Sequence, residues 1–204
     1  MKIIVTGGGT GGHIYPALSI ADKFKELYED AEILYVGVDG GLESRIVPQY
    51  GYKFIGLEVK GFQRKISLEN VKRVFLAMNA VKRAKKIISD FGPDIVVGTG
   101  GYVCGPVVMA ATKLNIVTAI HEQNAFPGVT NKILSPKVDR VFLGFEAAKD
   151  RLKSKVTPIS VGNPVRKNIR IAKSKLESRD ELGISKDCKF ILVTGGSGGF
   201  WSNK

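Results

Sequence analysis

KIIVTGGGTGGHIYPALSIADKFKEL, residues 2–27, decides the fold. A β-branched run, Lys2 to Thr6, stops at Gly7. Beyond the glycines, Ile14, Ala17, Leu18, Ala21, Phe24 and Leu27 or Tyr28 recur at helical spacing. The spacing predicts a helix over 14–29 with Pro16 in its first turn, where a missing N–H costs little. Gly7, Gly9 and Gly12 meet the pattern G-x-G-x-x-G between that strand and that helix, the context a nucleotide-binding turn requires. Glycine lets the backbone turn tightly and approach a ligand, and the helix start offers N–H groups and the positive end of the dipole. Such a loop suits a phosphate, a carboxylate or a sugar.

The same alternation continues outward. EILYVG (32–37), KFIGLE (53–58), DIVVG (94–98), IVTAI (116–120), DRVFLG (139–144) and VTPISV (156–161) read as further strands. Strands alternating with helical patterns predict an α/β fold, a Rossmann-like parallel sheet with helices on both faces. A long helix is predicted from Ser67, whose hydroxyl can cap it, to about Ser89, before Phe91-Gly92-Pro93 stops it. Its Val71, Val74, Phe75, Met78, Val81 and Ile88 form one apolar stripe. Ile95 to Thr112 carries no charge over 18 residues, but its glycines and Pro106 read as strand, loop and helix rather than a membrane span.

Two cofactor classes are disfavoured by spacing. A dinucleotide site wants an acid at the end of the second strand, yet that strand ends Tyr35-Val36-Gly37 and Asp39 comes late. A nucleotide-triphosphate loop needs a lysine where His13 stands. There are also further glycine loops, GTGGYVCGP at 98–106 and a copy at 195–199, and one dinucleotide does not need three. His121-Glu122-Gln123-Asn124 follow another strand, placing them with His13 at the carboxyl edge of the sheet, where open α/β folds bind ligands. Either His13 or Glu122 could take a proton from an attacking hydroxyl. No Asp-x-Asp pair is present, so no metal site and no cofactor are expected.

The chain of 204 residues carries a formal charge of +12. Most of the excess lies between Lys60 and Lys86, where nine basic residues, Lys72, Arg73, Lys82 and Arg83 among them, meet one acid, Glu69. That points to an anionic partner; with no nucleic-acid motif beside it, nucleic acid is not expected. Two cysteines, Cys104 and Cys188, far apart in sequence, make neither a zinc motif nor a disulfide framework. Three apolar residues before the first glycine are too few for a signal peptide, so a cytoplasmic location is expected.

Near the end, KFILVTGGSGG restates the opening phrase. The repeat predicts a first domain over 1–163, a polar lysine-rich junction with one short helix over 164–188, and the first strand and loop of a truncated second domain over 189–204.

GGGTGGHIYPA, GTGGYVCGP, HEQNAFPGVTNK, VGNPVR and VTGGSGG occur in this order and at spacings that resemble the MurG family of N-acetylglucosaminyltransferases. The resemblance implies the N-terminal half of a GT-B fold and metal-free, inverting transfer of GlcNAc from UDP-GlcNAc to undecaprenyl-diphospho-MurNAc-pentapeptide. On that pattern His13 and Glu122 are the base candidates. Thr10, Gly11, Gly12, Asn124, Arg166 and Ser197 would contact the donor, and Gly100, Gly101 and Tyr102 the acceptor diphosphate. The resemblance also implies peripheral attachment to the inner face of the cell membrane. Phe75, Met78 and Val81, flanked by Lys72, Arg73, Lys82 and Arg83, would meet anionic lipid; the alternative is that the stripe packs on the sheet. Without a full second domain the chain is expected to be inactive alone. The competing reading is a non-catalytic membrane- or acceptor-binding module completed by a partner chain that supplies the donor domain.

Overall fold

The computed structural model describes residues 1–59, 68–166 and 173–193, with residues 68–75 and 77 described by backbone alone. The expected cap at Ser67, the membrane residues Lys72, Arg73 and Phe75, and the third glycine loop with Ser197 lie outside the residues or side chains described.

Strand β1 (Lys2–Thr6) leads through the glycines into helix α1 (Gly11–Leu27). The helix begins three residues before the predicted start. Gly11 and Gly12 have poor helix propensity, but both His13 and Ile14 donate their N–H to the Thr10 carbonyl. Pro16 therefore falls in the second turn, and it has no N–H to give the Gly12 carbonyl.

Six more strands follow: β2 (Glu32–Val38), β3 (Lys53–Leu57), β4 (Ile95–Gly98), β5 (Val117–Glu122), β6 (Arg140–Leu143) and β7 (Ile159–Ser160). All pair in parallel, in the order β3-β2-β1-β4-β5-β6-β7. This is the doubly wound order, and its reversal lies between β1 and β4. Strand alternation sends Ile3, Val5, Tyr35 and Val97 to one face, against Ile14, Leu18 and Ala21 of α1 and Val47 of α2 (Leu42–Gln49). Ile4, Leu34, Val96, Ile120 and Val141 go to the other, against α3 (Leu68–Phe91), α4 (Cys104–Lys113) and α5 (Val129–Leu134). Each fully buried Ile or Leu contributes about 1.5–3 kcal/mol, so the two apolar layers hold the switch point rigid.

Four local expectations are corrected. β5 runs through Glu122, so His121 and Glu122 end the strand rather than follow it. β7 is two residues long, because Pro158 has no N–H for the ladder. Lys189 to Val193 form no strand; strand hydrogen bonds need a neighbour, and none of the seven strands pairs with them. The predicted stripe on α3 divides: Ile88 is buried, Val81 packs partly into the core, and Met78 is 63% exposed. The buried face is centred on Ala80, Ala84 and Ile88, which leaves Met78 about 120° round the helix. Between Glu181 and the sheet's last strand the short junction helix α6 (Lys175–Glu181) forms, its start closed by a capping box of Ser174 and Glu177.

Candidate functional site

Because β1 and β4 are neighbours, the glycine loops after them meet. The Gly8 N–H donates to the Gly100 carbonyl at 3.3 Å. Gly101, at φ +82°, lies so close to Gly8 that a Cβ would overlap its carbonyl oxygen. Beneath the first loop Tyr35 donates its hydroxyl to the Gly7 carbonyl at 2.7 Å. Burial first, and the charge of Glu43 next, push the Tyr35 hydroxyl well above its ordinary pKa, so it stays a donor.

His13, in the first turn of α1, is aimed by its neighbours. Its Nδ1 stands 3.0 Å from the Thr99 carbonyl and 3.3 Å from Gln123 Oε1. Both partners accept, so the proton sits on Nδ1 and the lone pair on Nε2. Among the described residues nothing bonds to Nε2. Gln123 is oriented in turn, its amide nitrogen donating to the His121 carbonyl at 3.0 Å and lying 3.1 Å from His121 Nδ1. His121 Nε2 donates to the Gly162 carbonyl at 2.9 Å. Burial lowers the His121 pKa against the opposing pull of that bond and of Glu122, which agrees with a neutral ring accepting at Nδ1. The chain Gly162, His121, Gln123, His13 therefore carries one consistent set of tautomers.

Glu122 is 1% exposed and fully engaged. Oε1 accepts from the Asn124 N–H at 3.0 Å and the Asn124 side chain at 2.9 Å; Oε2 accepts from the Gly128 N–H at 3.0 Å and the Asn131 side chain at 2.9 Å. Four donors on one carboxylate tie the loop 123–128 and the start of α5 to the end of β5. Of the two base candidates, His13 has a free lone pair and Glu122 does not.

A hollow of about 830 Å³ opens at this edge, and Thr10, Gly11, Gly12, His13, Asn124 and Arg166 all line it. Arg166 stacks over the Tyr15 ring, 4.3 Å from its centroid, a contact that holds a guanidinium fork without spending its donors. Gly100 backs His13: a Cβ there would stand 2.8 Å from Nδ1. Tyr102 faces elsewhere, into an apolar groove of about 240 Å³ shared with Val81, Met109, Ile133 and Leu134. Met78, Lys82 and Arg83 lie exposed on α3, while Val81 lines that groove instead of an outer surface. The structure thus brings six of the sequence-predicted residues together around one hollow and sets Tyr102 and Val81 along a separate apolar groove.

Sequence reasoning assigned no role to Glu43, Tyr35, Thr99, Gln123 or Asn163. The Asn163 side chain donates to the Gln123 carbonyl at 3.2 Å, so the VGNPVR stretch braces the HEQN stretch. Thr99, Gln123 and Asn163 carried a signal, as polar residues inside the quoted motifs GTGGYVCGP, HEQNAFPGVTNK and VGNPVR. The others declare themselves only once strands are placed side by side.

The family model described as glycosyltransferase family 28 N-terminal domain matches residues 3–143. A protein of Clostridioides difficile (strain 630), named UDP-N-acetylglucosamine–N-acetylmuramyl-(pentapeptide) pyrophosphoryl-undecaprenol N-acetylglucosamine transferase, is 48% identical over 98% of this chain and 49% of its own length. A protein of the same name from Alkaliphilus oremlandii (strain OhILAs) is 49% identical over 98% of this chain and 54% of its own. The crystal structure of Acinetobacter baumannii MurG superimposes with a TM-score of 0.68 at 26% identity, over 81% of this chain and 46% of that one. The chain spans about half the length of the relatives it matches. Since the family model covers more than half of the chain, from β1 to the end of β6, the chain belongs to glycosyltransferase family 28 through that family's N-terminal domain.

Proposed function

We propose that this chain is the acceptor-binding, base-bearing part of an inverting hexosyltransferase that moves GlcNAc from UDP-GlcNAc to undecaprenyl-diphospho-MurNAc-pentapeptide. The observation that carries the reading is the His13 ring, fixed through Nδ1 and free at Nε2 in a hollow lined by main-chain glycines. The acceptor C4 hydroxyl oxygen attacks C1 of the sugar and its proton passes to His13 Nε2. The bond from C1 to the diphosphate breaks on the opposite face, and UDP leaves with the electron pair. Thr10, Gly11, Gly12 and Asn124 meet the donor sugar and diphosphate, where the start of α1 favours negative charge. Arg166 meets the phosphates, as Ser197 would from the third glycine loop. Glu122 organises the loop bearing Asn124 and takes no proton.

Gly100 and Gly101 seat the acceptor diphosphate beside His13. Tyr102 and Gly105 carry the same loop into the apolar groove, which suits the first isoprenoid units of the acceptor. No helix among the described residues is long and apolar enough to cross a membrane. The exposed Met78, Lys82 and Arg83 favour an anionic, cytoplasmic membrane face. Residues 1–163 form the acceptor domain, 164–188 the junction, and 189–204 the start of a nucleotide-sugar domain.

Transfer of labelled GlcNAc to a prenyl-diphospho-MurNAc-pentapeptide, by the protein expressed from its complete reading frame, tests the proposal. Transfer is expected, falling about 10²- to 10⁴-fold in His13→Ala. Full activity in that variant removes His13 as base. Acceptor binding without transfer, even with UDP-GlcNAc saturating, favours the non-catalytic module completed by a partner chain.

A further inference from the structure

Glu43, in the first turn of α2, is a fully buried carboxylate that the mechanism above does not use. Burying a charge is expensive unless hydrogen bonds replace water, and here two backbone donors do so. Oε1 accepts from the Val38 N–H at 2.8 Å and Oε2 from the Gly9 N–H at 3.2 Å. One carboxylate therefore bridges the end of β2 to the middle of the first glycine loop. Three glycines give it room. A Cβ at Gly8 would overlap Oε1, one at Gly37 would stand 2.5 Å from its Cγ, and one at Gly41 3.0 Å from its Cδ. Gly9 itself sits at φ +85°, a conformation that needs holding in a loop with no side chains to pack.

We infer that Glu43 is a positioning residue for the transfer site, fixing the first glycine loop through the Gly9 amide so that Gly11, Gly12 and His13 face the hollow. The inference rests on the proposed transferase reading for its functional half only. An apolar residue would fill the space under the loop but could not accept from Gly9, and the acid that dinucleotide folds place at the end of β2 is here replaced by one that reaches back from α2 and never meets solvent.

Glu43→Gln keeps the volume but offers one accepting oxygen where two are needed, and turns an amide N–H₂ toward the other backbone N–H. Hydrogen exchange of the Gly9 amide is expected to rise about tenfold or more in this variant while the Ile120 amide in β5 keeps its rate. In the active protein kcat is expected to fall by more than KM rises, with the pH profile unchanged. Unchanged Gly9 exchange in a folded variant overturns the inference. If Glu43→Gln does not fold, the unmodified chain decides: the Gly9 amide must be protected to the degree of the Val38 amide, and a Gly9 amide that exchanges freely overturns it. Failure of the wild-type protein to transfer GlcNAc would sink the transferase reading and leave the exchange result standing.

Discussion

A histidine at a helix start is ordinarily explained by a backbone partner, and His13 has one in Thr99. What distinguishes it is that the partner is an acceptor on Nδ1, which leaves a basic nitrogen. Glu122 shows the converse. Glu122→Gln keeps the shape but sets an N–H₂ against donors that the carboxylate satisfied, so it is expected to destabilise the fold by about 1–3 kcal/mol. Per folded molecule its activity should stay within about tenfold of the wild type, whereas His13→Ala should lose about 10²- to 10⁴-fold; an equal loss in Glu122→Gln would return Glu122 to the role of base. His121 adds a pH dependence. Its folded pKa lies below 6.5, so the unfolded chain takes up the proton first. Stability is fully present above pH 6.5 and falls as pH drops toward the folded pKa, by at most about 1.4 kcal/mol per unit for one group. Thermal melting from pH 7.5 to 5.5 should show that slope in the wild type, and His121→Gln should remove it.

Among the elements, α3 and α4 pack through small residues, with Ala80, Ala84, Ala110 and Ala111 buried. Such a close approach has no spare volume. Ala84→Leu should therefore cost about 1–3 kcal/mol by overpacking, read as a lower urea midpoint with unchanged slope. The groove between α3, α4 and α5 supports a different test. Ile133 lines it yet is 54% exposed, so Ile133→Asp should leave the fold intact. KM for a prenylated acceptor should rise several-fold while KM for UDP-GlcNAc holds; equal changes in both would detach the groove from the acceptor.

For the molecule as a whole, period and turn chemistry made the layers legible. The 2-residue period of β1 and the 3.6-residue period of α1 are local, and six of the seven strands stand within a residue or two of where the sequence puts them. The glycine loops and His13 were legible for the same reason. What was hidden depends on distance in sequence. Glu43 reaches Gly9 from 34 positions away, and Thr99 reaches His13 from 86; no window along the chain contains either pair. The divided stripe on α3 was hidden because alanine, which carries the buried face, gives little periodic signal. At the far end, Phe190 to Val193 are between 54% and 89% exposed. A β-prone apolar run left open invites edge pairing. The 204-residue chain is expected to self-associate with rising concentration in sedimentation, and Ile191→Lys with Val193→Glu should suppress it.

The Gly8 to Gly100 hydrogen bond joins two loops that come from different parts of the chain and serve different substrates in the proposed reaction. Neither loop can shift without carrying the other, since Gly101 leaves no gap beside Gly8. Occupancy of one seat is therefore expected to alter the affinity of the other, and thermodynamics requires the factor to be equal in both directions. In the proposed reaction a donor analogue measured with the acceptor bound is expected to show a different dissociation constant from the same analogue measured alone; equal constants would show that the contact between the loops carries no coupling.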